Sequence, residues 1–261
     1  MADLEAAVRR QIKATDEQIE RFVSRLDKFL SDELTTILSK VDVGKGKGRE
    51  AIKALGGLQD ALEQAGLGAR LQDIESVYGV QLKAVSDHFE KVLGQKDVLN
   101  AVDFDTAEQL ITLDESVLRN KIFSNTSELA STVFRQVISG DVPDVHELVK
   151  TFTNRTAAQI TTELNTATAG FSRALNQKKA KDVGFELFVY LGPLDKITRP
   201  FCRKRVGKVF TSKEIAAWDN EQGLPANIYC GGYNCRHELR PVSEEYAREL
   251  GYQIRTEKGA V

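Results

Sequence analysis

Cysteine is scarce in this sequence and confined to its end: Cys202, Cys230 and Cys235 are the only three in 261 residues. So few, and an odd number, exclude a disulfide-stapled secreted scaffold. Proline is absent before Pro143, whereas Pro193, Pro200, Pro225 and Pro241 crowd the later part of the chain. Proline costs about 3 kcal/mol inside a helix, so the first part is open to long helices and the later part to turns. No apolar run approaches the ~20 residues that cross a bilayer. Met1–Gln11 carries Asp3, Glu5, Arg9 and Arg10 where a leader would be apolar, which predicts a soluble chain made in the cytosol. Neither sign of charge dominates: 36 Lys and Arg face 38 Asp and Glu, a net of -2. That balance excludes a wholly basic DNA-coating protein and permits a local basic patch.

What is present is apolar content enough for a core, 41% of the chain, arranged first with helical spacing. Val8, Ile12, Ile19, Phe22, Leu26, Phe29 and Leu30 recur every three or four residues. Thr15 is a polar hole in this stripe and Glu33 breaks its register, so helix-bundle packing is favoured over a dedicated coiled coil. Val43–Gly48 alternates Gly with Lys but lacks the spacing of a phosphate loop, and reads as a connection between helices. Further helices are predicted over Arg49–Gln64, Arg70–Leu93, Thr106–Phe123 and Ser127–Ile138, with Ser124-Asn125-Thr126 as a turn. A last long one follows Pro143 towards Lys181. His88 and His146 have no ligand partners at metal spacing and read as surface or satisfied histidines.

At Gly184 the pattern changes. Phe185–Leu191 and Val206–Phe210 read as strands, Lys213–Asn220 and Ser243–Leu250 as short helices, and Leu224–Arg240 as loop with room for one more strand. The predicted fold is mainly α: a helical arm or bundle over 1–180, a small α+β module over 181–250, and a disordered tail over 251–261. Within the module Lys196, Arg199, Arg203, Lys204, Arg205, Lys208 and Lys213 occur with no acid between them. This run is either a solvated face or a patch for nucleic-acid phosphates.

The chemistry-bearing pattern is Cys202, 27 residues, then Cys230-Gly231-Gly232-Tyr233-Asn234-Cys235-Arg236-His237. Three thiols and an imidazole are the number and type of ligands that close a tetrahedral structural zinc site. The spacing departs from the usual knuckle: four residues separate Cys230 from Cys235, and the first arm supplies Cys202 alone. Reduced buried thiols, or a disulfide made by Cys202, stay open as alternatives. Catalysis is disfavoured, because no third group is placed to orient His237 and no paired acids would hold a hard metal ion.

Thr198-Arg199-Pro200-Phe201-Cys202, Gly207-Lys208-Val209-Phe210 and Asn234-Cys235-Arg236-His237, with Asp195 upstream, resemble the C-terminal domain of tailed-phage minor head proteins of the Mu F-like, head-morphogenesis type. The likeness covers roughly Ala157–Val242. Arg205 stands where many members carry a second thiol. The resemblance implies a non-enzymatic minor structural protein of the virion, near the portal or inner capsid, made in the host cytoplasm and active in head assembly and genome delivery. It implies portal or capsid protein as partner, with non-specific contact to packaged DNA, and neither a membrane segment nor a small-molecule substrate. A toxin-like or nuclease effector, or a zinc-knuckle nucleic-acid binder acting in packaging, is the alternative.

Overall fold

The structure, a computed structural model, describes residues 2–41, 53–252 and 254. It is mainly α with a small sheet late in the chain. Among the described residues helices come first: the long α1 (Ala2–Leu38), the short α2 (Leu58–Gln64) and α3 (Leu67–Gln72), then α4 (Glu75–Leu93) and α5 (Ala101–Ser139). Then α6 (Val145–Asp182) leads into β1 (Leu187–Leu191), α7 (Pro200–Arg203), β2 (Lys208–Thr211) and α8 (Ser212–Ala216). The chain closes with α9 (Ala226–Tyr229), β3 (Glu238–Val242) and α10 (Glu244–Glu249). Among the described residues no helix is long and apolar enough to cross a membrane.

Packing gathers these elements into two units that interleave along the chain. One holds residues 1–18, 76–110 and 162–261; the other holds 19–75 and 111–161. The helix α6 ends at Asp182 and β1 begins at Leu187, while the packing divides the chain elsewhere.

In the first unit β1 is the central strand, antiparallel to both neighbours in the order β2-β1-β3. Val189 lies opposite Val209 on one side and Arg240 on the other. Leu4 and Val8 of α1 are buried with Val189, Leu191, Val209, Val242, Ala247 and Tyr252, and Ile12 packs against that cluster. The start of the α1 stripe is thus the cover of the sheet. Tyr252 and Ile254 belong to this core, so the beginning of the expected tail is ordered; the remaining tail lies outside the described residues. The strand in the expected Leu224–Arg240 loop is β3, fully buried along its length.

Thr15, the hole in the stripe, is buried and hydrogen-bonded. Its hydroxyl donates to the Gln11 carbonyl and accepts from the Gln81 amide at 2.7 Å. Gln11 bonds Gln81 and also accepts from Arg240. A polar residue at a core position is here one member of a satisfied network, which is how buried polar groups are tolerated. The second unit buries the rest of the stripe, Ile19, Phe22, Leu26 and Leu30, together with leucines of α2 and α3.

One expected turn is corrected. Ser124-Asn125-Thr126 lies inside α5, which runs unbroken. Asn125 favours turns because its amide competes for local backbone, but here that amide donates to Thr156 at 3.0 Å and to Gln159 at 2.7 Å on α6. Thr126 donates back to the Ile122 carbonyl within the helix. Tertiary partners override the local preference. The Val43–Gly48 connection, and the Arg49 end of the helix expected to reach Gln64, lie outside the described residues.

Candidate metal centre

Three stretches meet beside β1. Arg199–Pro200 starts α7, with proline in the first turn where its missing N–H costs nothing, and that turn buries Cys202. The loop after α9 brings in Cys230 to Cys235, using positive φ at Cys230, Gly232 and Asn234. Asparagine is one of the few non-glycine residues at ease there. His237 then enters β3.

Cys202 Sγ and Cys235 Sγ are 3.6 Å apart, and Cys235 Sγ is 3.6 Å from His237 Nδ1. The three ligand atoms lie within 4.8 Å of one another, and their residues are 1%, 4% and 3% exposed. Zn–S bonds of about 2.3 Å and Zn–N bonds of about 2.0 Å at tetrahedral angles put such atoms roughly 3.5–3.8 Å apart. The donor set therefore fits a tetrahedral metal ion. Cys230 is also fully buried and interacts with Cys235, but it stands outside the tight set of three.

Surrounding groups fix these ligands. His237 Nε2 lies 3.0 Å from the Pro193 carbonyl, an acceptor only, so Nε2 carries the hydrogen and the neutral ring presents its lone pair at Nδ1. That is the arrangement a ligating histidine requires. The ring stacks on Tyr190, whose hydroxyl donates to Cys202 Sγ at 3.2 Å. The Gly231 N–H donates to Cys235 Sγ at 3.2 Å. A Cβ on Gly231 would lie 2.4 Å from Cys202 Sγ, and one on Gly192 (φ 152°) 2.5 Å from the His237 ring, so both glycines are demanded by close approach.

Hydrogen bonding from Cys202 and then Cys230 holds the Cys235 thiol far below the usual range. The same bonding, with burial, pushes Cys202 up, and burial foremost pushes Cys230 up.

Arg173, on α6, is the largest fully buried side chain and was not among the residues singled out by spacing. It donates to the carbonyls of His237 (2.8 Å from Nε), Cys235 (2.6 Å) and Ile228 (2.9 Å). One guanidinium thus ties the knuckle to the helix. Asp195 and Arg236 pair at 2.6 Å, and Asp195 also accepts from the Thr198 hydroxyl and the Ile197 N–H. This bonding, Arg236 first, holds the Asp195 carboxyl below its usual range.

The basic run divides by use. Arg205 stacks over Phe201 at 3.7 Å and Trp218 at 4.5 Å and donates to the Phe201 carbonyl. Arg199 donates to the Gly231 carbonyl, and Arg203 to the Asp195 carbonyl. These guanidiniums brace the module. Lys196, Lys204 and Lys208 are exposed, as is Lys213. His88 is a satisfied core histidine, 2.7 Å from the Pro241 carbonyl, and His146 is exposed.

The chain matches no protein-family model, no curated protein and no solved structure.

Proposed function

We propose that this chain is a non-enzymatic, zinc-stapled minor structural protein of a phage head, held near the portal or inner capsid. The observation that carries the zinc part is the convergence of Cys202, Cys235 and His237 in a buried pocket with the histidine lone pair already directed by Pro193. A closed, buried thiolate–imidazole set suits structural zinc, which stabilises modules whose own core is thin. The phage part rests on the sequence resemblance. It is supported by the way the resembling residues interlock: Asp195 bonds both Thr198 and Arg236, and Cys202, Cys235 and His237 share one pocket. Their polar groups are spent on holding the module together. The exposed lysines leave non-specific contact with packaged DNA as part of the reading.

Two measurements test it. Protein purified under reducing conditions and desalted is expected to hold one zinc per chain by elemental mass spectrometry; a metal content near zero removes the zinc. Quantitative mass spectrometry of particles from the phage or prophage encoding this chain is expected to find a few copies per particle, retained after high-salt washing. Absence from particles ends the structural reading.

A further inference from the structure

We infer that the groove between α1 and α4 is a binding site for an amphiphilic monoanion, whose apolar chain lies along the groove and whose single carboxylate head reaches Arg240. None of the groove residues belongs to the metal centre, so the site stands or falls apart from the zinc and virion readings.

The groove follows from small side chains at helical spacing. Ala7, Gln11 and Ala14 succeed one another on a single face of α1, and Val80 and Ala84 line the same groove from α4. Alanines at these positions leave space where leucines would close the two helices together, and a cavity of about 440 Å³ results. Small-molecule sites occupy roughly 300–1,000 Å³ behind mostly apolar walls with a few placed polar groups. These walls are mostly apolar too.

The placed polar group is Arg240, which enters from β3. It is 3% exposed, and its guanidinium donates to the Gln11 side chain and, at 3.3 Å, to the Ala84 carbonyl. Both acceptors are neutral, and a guanidinium carries five N–H donors, so two such bonds do not exhaust it. Among the described residues Arg10, Lys83, Lys91 and Arg240 line the groove against two carboxylates, Asp3 and Asp87. Asp3 is taken by Lys91 at 2.6 Å and Asp87 by Lys83 at 2.9 Å. Glu238, which Arg240 also feels, is not part of the lining. The groove therefore keeps an excess of positive charge, and its buried end is a guanidinium, the group best shaped to grip a carboxylate. Asp3 and Asp87 are exposed, and they repel a polyanion such as nucleic acid. One head group on an apolar chain meets the excess without that repulsion.

Decanoate, 1-decanol and decyltrimethylammonium share a chain and differ in head charge. Each is titrated calorimetrically into the full-length protein. Decanoate is expected to bind one per chain, and the neutral and cationic analogues at least about tenfold more weakly, the step that a charge-assisted hydrogen bond contributes. Ala84→Leu fills the groove and changes no charge. It is expected to weaken decanoate binding at least about tenfold while the dichroism spectrum stays that of the parent. Ala7→Leu, at an exposed position, is a second filling variant and is expected to do the same. Arg240→Lys and Arg240→Gln both lose the fork on Gln11 and Ala84, so a difference between them reports charge. The glutamine variant is expected to bind decanoate several-fold more weakly than the lysine variant. Absence of decanoate binding, equal affinity for the three amphiphiles, or binding that both leucine variants leave unchanged overturns the site. Equal affinity in the two folded Arg240 variants overturns the anchoring role of Arg240.

Discussion

Arg173→Met is expected to cost about 5 kcal/mol and to leave the C-terminal knuckle detached from α6. The guanidinium serves the carbonyls of Ile228, Cys235 and His237, and each loses its donor at once. A buried acceptor left unpaired costs about 1–3 kcal/mol, and hydrogen bonds from a charged donor lie at the upper end. Against this, methionine avoids burying a charge, which lowers the total. Urea denaturation, followed by the fluorescence of Trp218 and by far-ultraviolet dichroism, separates local from global loss. Early loss of the Trp218 signal with helix content retained is the expected pattern, since Trp218 packs on Phe201, Phe210 and Tyr190 around the knuckle. A variant within about 1 kcal/mol of the parent would show that water satisfies those carbonyls and that Arg173 is not the tie.

Arg173 also marks the limit of what spacing reveals. Periodicity registers apolar residues, and an arginine in a Thr- and Asn-rich helix reads as solvent-facing. Its destination, three carbonyls more than 50 residues away, is fixed only when β3 and α9 are in place. The same holds for Arg205: a run of basic residues without acids looks like a phosphate patch, and only the positions of Phe201 and Trp218 show that this one is a packing element. Asn125 misled for a related reason, its turn preference being outweighed by Thr156 and Gln159.

Other features were legible because their cause is local. The absence of proline before Pro143 and the apolar stripe of α1 are sufficient to specify long helices. The apolar and aromatic content of Phe185–Leu191, ended by Gly192-Pro193, specifies β1. Thr211, with Glu214 three residues on, forms the reciprocal cap that starts α8, and Ser243 caps α10. The grouping of Cys202, Cys235 and His237 was legible from chemistry, since few other uses bring two thiols and an imidazole together. The division of α1 between two packing units was not, because nothing in its stripe names a partner.

His88 contributes to the response of the fold to acid. It is buried among Arg240, Lys91 and Phe89, with Nε2 donating to the Pro241 carbonyl. Burial, and then the positive field of Arg240, hold its pKa down to about 3. In the unfolded chain the imidazole titrates near 6.5. Above that value it is neutral in both states and pH has no hold on it. Between 6.5 and 3 the unfolded state binds a proton that the folded state refuses, so stability falls with falling pH. At 1.36 kcal/mol per pH unit the loss reaches about 3 kcal/mol by pH 4. Carboxylates titrate in the same window, so the comparison must be with a variant and not with the parent at neutral pH alone. His88→Gln keeps a donor near Pro241 and cannot titrate. The stability gap between the two, measured by urea at pH 7.5 and pH 4.5, is expected to shift in favour of the variant by about 2–3 kcal/mol as the pH drops. A gap that stays constant would mean that the imidazole is protonated while folded, and that the Arg240 field is answered by Glu238 before it reaches His88.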